Sequence, residues 1–390
     1  MLSRVVKLLA YLANWPLYWL TRVTYRKANR WVFGSWLGSQ FGDNPRCLME
    51  FAEAHASVVQ CIWLATDREV LRAAREAGHL AEHSYSLKGY WFAATAGLAI
   101  VSGGSADVNR YVCPPKVFNL WHGIPLKRIE FDDPAVAKRL FRRLQVARFF
   151  PYHQDKGYSA IASCSSDEAD RLSSAFRSPR ASVVVTGLPR NDGLAQSAAG
   201  PGRRIRNILY APTFRDHDPL GALDRLCDAA KQLESFLERF NLILHVRLHP
   251  NTPELAISEF GRSIRCDSVL ARSSDMVRVL SETDVLVTDY SSVYLDFLLT
   301  GRPIVFLPYD LDQYLLVERS LYFDYMRDDV TPGPKCQDWA SCIDAMTALV
   351  EGHDDYSRAR SVATSRFHHF NDDRSSDRAL TVALDLAEVS

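Results

Sequence analysis

Residues 285–308 read VLVTDYSSVYLDFLLTGRPIVFLP. A β-branched, apolar run stops at Asp289-Tyr290-Ser291-Ser292. A second apolar stretch with helical length follows, Gly301 ends it, and Pro303 opens another strand-like run. Strand, turn, helix, turn and strand in so short a space predict a βαβ unit of a parallel sheet. Free backbone N–H groups at the helix start, with the positive end of its dipole, attract anions. Ser291 and Ser292 add two hydroxyls there, and Asp296 sits one turn above Ser292 on the same face. Simple capping by serine explains the same residues, so both readings stand at this point.

The rhythm extends in both directions. Apolar runs at 58–66, 97–104, 117–123, 159–165 and 182–189 alternate with helix-compatible stretches such as 67–78. After AQSAAGPGRRIRN (195–207), read as a linker, runs at 207–213, 242–250, 285–291 and 303–309 resume, with helices expected at 221–240 and 292–301. The fold class is therefore α/β: two Rossmann-like, doubly wound parallel sheets facing a cleft. The expected division is 1–42, a basic aromatic membrane-associating segment; 43–195, an acceptor domain; 203–365, a donor domain; and 366–390, a helical tail.

Acidic and basic residues balance, 46 against 46. That argues against a nucleic-acid binder, which carries a basic excess. The eight cysteines form no C-x-x-C pair and mostly lie in apolar runs, as reduced core residues do. Neutrality hides a local bias: Arg4, Lys7, Arg22, Arg26, Lys27 and Arg30 precede any acid. Between them, LLAYLANWPLYWL (8–20) is too short and broken to span a bilayer, and no small-residue cleavage site follows it. Aromatics beside cations suit an anionic membrane surface, so an N-terminal basic amphipathic helix is expected there; packing on the protein's own surface is the alternative. DPAVAKRLFRRLQVARFF (133–150), with Asp133 as cap, forms a second basic helix, either a solvated face or another polyanion contact.

Three further clusters fall at predicted strand ends. In HVRLHP (245–250), His245, Arg247 and His249 share one face while Val246 and Leu248 point the other way. Arg247 suits bidentate phosphate contact, and His249 can take or release a proton beside a leaving phosphate. In NLWHGIPLKRI (119–129), His122 closes a strand of the first half, where a general base for an acceptor hydroxyl would stand, and Gly123 permits close approach by a ligand. Lys127 and Arg128 would steer an anionic acceptor. In YAPTFRDHD (210–218), Thr213 and Arg215 pair a hydroxyl with a guanidinium. Together these point to a nucleotide diphosphate. No P-loop, G-x-G-x-x-G, H-E-x-x-H or G-x-S-x-G signature occurs, and no D-x-D at a strand end demands a metal.

WHGIPLK, YAPTFRD, RLHP and TDYSSVYLDFLLTGRPIVFLPYDLDQY, followed by LYFDY and TPGP, resemble the CDP-glycerol glycerophosphotransferases of teichoic acid and capsule synthesis. The resemblance runs over roughly residues 45 to 350 and implies a GT-B fold at the cytoplasmic face of the membrane, peripheral, acting on lipid-linked acceptors. It implies His122 and His249 as catalytic residues. It implies that Gly123, Ile124, Pro125, Leu126, Arg215, Arg247, Leu248, Ser291, Ser292 and Asp296 meet CDP-glycerol. Ile124 replaces the family's more usual threonine, removing a hydroxyl. No cofactor beyond the donor substrate is required, and a divalent metal is left open. A nucleotide-sugar glycosyltransferase, a CDP-ribitol enzyme and a membrane-bound scaffold with a relict nucleotide pocket are the alternatives. The long N-terminal domain of some polymerising members has no counterpart, which leaves addition of one unit or many open.

Overall fold

Trp31, Val32 and Phe33 are consecutive and all fully buried, as in a strand covered on both faces. The structure is a computed structural model describing residues 2–138, 157–195, 197, 204–215, 218–248, 261–266, 276–317 and 320–389, the first ten of these as backbone only. It divides into two units: Met1–His122, Ile129–Asp192 and Arg374–Ser390 form the first; Gly123–Arg128 and Gly193–Asp373 form the second.

The first unit holds seven parallel strands: β1 (Lys27–Gly34), β2 (Gln60–Ala65), β3 (Ala81–His83), β4 (Ala96–Val101), β5 (Lys116–Asn119), β6 (Ala160–Ser163) and β7 (Val183–Val185). Their order is β3-β2-β1-β4-β5-β6-β7. Alternation sends Trp31, Phe33, Trp63, Leu98 and Ile100 into one core, and Val32, Ile62, Leu64, Ala99 and Val101 into the other. The helix Arg68–Glu76 starts where expected, because Asp67 accepts from the N–H of Glu69 (2.7 Å) and Val70 (3.2 Å).

The second unit holds β8 (Asn207–Ala211), β9 (Ile243–Val246), β10 (Ile264–Cys266), β11 (Val285–Thr288) and β12 (Ile304–Phe306), all parallel, in the order β10-β9-β8-β11-β12. The amphipathic helix Gly221–Phe240 and the helix Trp339–Val350 cover one face. In each sheet the chain works outward from the first strand and then returns to its other side. The reversal falls between β1 and β4 in one unit and between β8 and β11 in the other, where α/β sheets bind ligands at the carboxyl ends of strands.

The expected boundaries need correction. Residues 1–42 are not a separate membrane segment, because β1 lies inside the first sheet. Its apolar run is only Trp31 to Phe33, too short to stand out beside a basic stretch. The tail is not separate either: Ala379, Leu380, Ala383 and Ala387 of the helix Ser375–Ala387 complete the first core. Residues 123–128 belong to the second unit although their neighbours belong to the first. The strands β3 (AEH) and β10 (IRC) also escaped the pattern, because they lack the continuous apolar run that marks the equally short β7 (VVV) and β12 (IVF).

The N-terminal helix Leu2–Arg22 is anchored by Tyr18, buried, and by Thr21, whose Oγ1 accepts from Cys113 N at 3.0 Å. Trp15, Trp19 and Leu20 stay exposed. Among the described residues no helix is long and apolar enough to cross a membrane. Of the second basic helix, 134–138 is helical and Asp133 caps it; 139–150 lie outside the described residues, as does most of the 195–207 linker. All eight cysteines are free, and five are buried.

Candidate active site

In the first unit the switch-point edge is built from the loops after β1, β4 and β5. Asn119 ends β5 and its Oδ1 accepts from Trp121 N (2.8 Å), bending the chain sharply. Trp121 takes a left-handed φ of 54°, and its carbonyl accepts from Nδ2 of the buried Asn44 (2.8 Å). His122 comes next. Its Nδ1 lies 3.1 Å from the Ser102 carbonyl, beyond β4. A carbonyl oxygen only accepts, so Nδ1 carries the proton and Nε2 keeps its lone pair. The ring stands against Trp121 (centroids 4.0 Å apart) and Trp36 (4.8 Å), the latter from the loop after β1. Burial pushes the His122 pKa below the ordinary histidine value; the Ser102 hydrogen bond and the Asp43 charge oppose it, and Arg190 reinforces it. The imidazole is therefore neutral at pH 7 and ready to accept a proton at Nε2.

The surroundings are strained. Trp36 (φ 50°), Leu37 (φ 59°) and Asp43 (φ 63°) join Trp121 in the left-handed region, which non-glycine residues rarely adopt. Such outliers collect where structure is held for a purpose. Asp43 is fixed by Arg190 Nη1 (2.8 Å) and Trp36 Nε1 (3.1 Å).

In the second unit the loop after β8 meets those after β11 and β12. Asp289 Oδ1 accepts from Thr213 N (2.8 Å) and Oδ2 from Arg215 Nη2 (2.9 Å). Asp310 accepts two bonds from Arg215, at Nε (2.6 Å) and Nη2 (2.8 Å), and a third from Tyr290 Oη (2.9 Å). Arg215 Nη1 donates to Thr213 O (2.7 Å). Burial works against the Arg215 charge, but Asp310 and Asp289 outweigh it and hold its pKa above the usual value. Arg215 thus lies inside the domain, 4% exposed, joining three loops; most of its donors are engaged by protein.

Ser291 and Ser292 precede the short helix Val293–Phe297. Ser292 occupies the cap position without a side-chain capping bond, and Ser291 Oγ reaches Val293 N only at 3.5 Å. Neither hydroxyl closes the helix tightly. Asp296 is buried, 5% exposed, with buried His368 close by, whose Nε2 lies 2.7 Å from Leu295 O. Gly301 ends the turn with φ 66°, as expected.

Along β9, His245 is half-buried between buried Leu244 and Val246; Arg247 follows, half-buried, its N–H bonded to Tyr210 O (2.9 Å). Leu248 packs against the second core. His249 lies outside the described residues. Gly123 (φ 132°), Ile124, Pro125 and Leu126 are buried. Their segment is tied to 320–322 through Tyr322 N to Leu126 O (3.0 Å) and Arg128 N to Ser320 O (2.9 Å). Lys127 and Arg128, expected to steer an acceptor, lie over the rings of Tyr314 and Tyr322.

The structure therefore gathers Arg215, Arg247, Ser291 and Ser292 at the carboxyl edge of one sheet and places His122 at that of the other. Sequence reasoning missed Trp36, Asp43, Asn44, Asp107, Arg190, Asp289 and Asp310. Asp289 and Asp310 sit inside quoted motifs; the others join loops far apart in sequence and leave no local signal. Among the described residues no group of three or more His, Cys, Asp or Glu could hold a metal ion.

Residues 17–384 match the family model of the CDP-glycerol:poly(glycerophosphate) glycerophosphotransferases. The chain belongs to this family. The transferase is 27% identical over 368 residues to the teichoic acid glycerol-phosphate transferase of Staphylococcus aureus (strain NCTC 8325 / PS 47), covering 89% of this chain and 90% of that one. It is 32% identical over 189 residues to the teichoic acid poly(ribitol-phosphate) polymerase of Bacillus spizizenii (strain ATCC 23059 / NRRL B-14472 / W23), covering 43% and 28%. The wall teichoic acid polymerase TagF, also solved after soaking with CDPG, matches the transferase in fold. The TM-score is 0.75 at 20% identity, over 100% of this chain and 98% of that one, consistent with the GT-B-like fold expected from sequence.

Proposed function

We propose that the transferase moves glycerol phosphate from CDP-glycerol to a hydroxyl of a lipid-linked acceptor of teichoic-acid or capsule type, releasing CMP. His122 Nε2 takes the hydroxyl proton as the acceptor oxygen attacks the β-phosphorus. The new P–O bond forms as the bond from that phosphorus to the bridging oxygen breaks, and CMP departs with the electron pair. Arg247, the Ser291 and Ser292 hydroxyls and His249 meet the growing charge on the phosphates, and the Arg215–Asp289–Asp310 frame holds the loop that presents the two serines. No resident cofactor is assigned; dependence on a divalent metal is a separate question, answered by running the assay with and without EDTA.

The observation that carries the reading is the neutral His122, its Nδ1 proton committed to Ser102 O, in a chain of this family. The test is incubation with CDP-glycerol and a lipid-linked disaccharide, with mass analysis of the lipid and of the nucleotide. Added glycerol phosphate with CMP supports the assignment, and the mass counts the units added. Release of CDP points to sugar transfer instead. The similarity to a ribitol-phosphate polymerase favours a second donor, CDP-ribitol, which belongs in the same assay.

The exposed Trp15, Trp19, Leu20 and Tyr25 support peripheral attachment at the cytoplasmic face, with Arg22 beside Trp19. Sedimentation with anionic vesicles, and its loss on replacing both tryptophans with serine, checks this.

A further inference from the structure

Asp107 is almost wholly buried, 1% exposed, in the turn Ser105–Asp107 after β4. Among the described residues no cationic side chain pairs with its carboxylate. Oδ1 accepts from Leu37 N at 2.7 Å, in the strained loop after β1. Oδ2 accepts from Ser102 N (3.0 Å), Gly103 N (2.8 Å) and, more weakly, Gly104 N (3.4 Å), in the loop after β4. One carboxylate thus clamps two loops, and these two loops grip His122 from both sides. Trp36, next to Leu37, lies against the ring. Ser102 supplies the carbonyl at Nδ1, and because the N–H of the same peptide unit, that of Gly103, donates to Asp107 the peptide is fixed in orientation. The approach is engineered closely: a Cβ at Gly34 would lie 2.3 Å from the Asp107 carbonyl oxygen.

We propose that Asp107 is a positioning residue that, through the Ser102 carbonyl and the Trp36–Leu37 loop, holds His122 in its Nδ1–H tautomer with Nε2 free. The inference rests on the reading of His122 as the acceptor-side base. A buried carboxylate without a counter-charge is costly unless hydrogen-bonded, and burial raises the Asp107 pKa against these N–H donors. Here its donors are backbone groups, with the Ser102 hydroxyl at 3.4 Å, of the loops that frame one histidine. Asparagine at 107 has a single acceptor oxygen, so one of the two loops must lose its anchor.

The charged groups facing His122 are Asp43 and Arg190, paired with each other, and Asp107. Asp107→Asn removes a negative charge and loosens the Ser102 hydrogen bond, and both changes lower the His122 pKa. The variant should therefore show an acid limb of kcat/KM moved to lower pH together with a plateau kcat reduced on the order of tenfold or more. KM for CDP-glycerol should stay unchanged. A variant that is merely less stable would not move the acid limb in this way.

The direct readout is ¹⁵N NMR of histidine-labelled full-length protein. Wild type should show His122 as Nδ1–H at neutral pH, and Asp107→Asn should show a mixture of tautomers. An Nε2–H tautomer in the wild type overturns the proposal even if the variant fails to fold. So does a folded variant that keeps the Nδ1–H form, or one with altered tautomers and an unchanged rate. Full activity of His122→Ala would sink the base reading instead, and the tautomer measurement would still stand.

Discussion

The two units share one topology and treat their switch-point edges in opposite ways. At the first edge, four non-glycine residues sit in left-handed backbone around a single neutral imidazole. At the second, among the described residues none of the left-handed non-glycine residues falls in the loops after β8, β11 or β12, and a buried guanidinium holds two carboxylates and a carbonyl instead. The first edge fixes one imidazole, and hydrogen bonds to Asn44, Ser102 and Asp107 hold its strained loops in place. The second is proposed to hold an anion, and paired charges keep its loops rigid without offering the ligand a competing carboxylate.

The largest expected break falls on the first edge. His122→Ala should lower kcat by about 10²–10⁴-fold while the thermal unfolding midpoint stays near that of wild type. A rate within a few-fold of wild type would remove the distinction between the two edges. On the second edge the main effect should be on stability. Arg215→Ala leaves buried Asp289 and half-buried Asp310 without their partner and should destabilise by about 3–5 kcal/mol in denaturant titration. Lysine cannot bridge both carboxylates and should recover only part of this.

The serines sharpen the contrast. Replacing Ser291 and Ser292 together by alanine should raise KM for CDP-glycerol about tenfold or more, since bonds to charged phosphates are lost. Stability should barely change, because neither hydroxyl caps the helix at short range. A loss of stability with KM intact would make them structural caps.

The pH dependence is the mildest probe. The His122 pKa is lowered by burial, so the rate should fall only as pH drops below the ordinary histidine range. Buried His368 is lowered as well. For both, the unfolded chain binds protons that the folded one does not, so stability should decline as pH falls through the unfolded histidine pKa near 6.5. Unfolding free energies across that range, compared with His122→Ala, separate the two residues. Stability that rises on acidification would contradict both assignments.

Much of this was legible in sequence. The strand runs at 58–66, 97–104, 207–213 and 285–291 hold β2, β4, β8 and β11, because parallel strands buried on both faces read as continuous apolar stretches. His122 was legible because it follows such a run and precedes Gly-x-Pro. β1 was not: its three large apolar residues follow Arg26, Lys27 and Arg30 and merge with a basic segment. Arg215 read as a phosphate ligand because its hydroxyl neighbour was visible, while Asp310, 95 positions away, was not seen as its partner. Asp107 gave no sign at all, since its closest partners are backbone N–H groups that every residue carries.

Residue periodicity and turn chemistry determined the two α/β units and the strand ends where polar groups gather, because those depend on neighbours within a few positions. Only the tertiary structure decided that Arg215 is locked between carboxylates and which nitrogen of His122 holds the proton. These follow from contacts between loops separated by tens of residues, where burial and hydrogen-bond geometry outweigh side-chain identity.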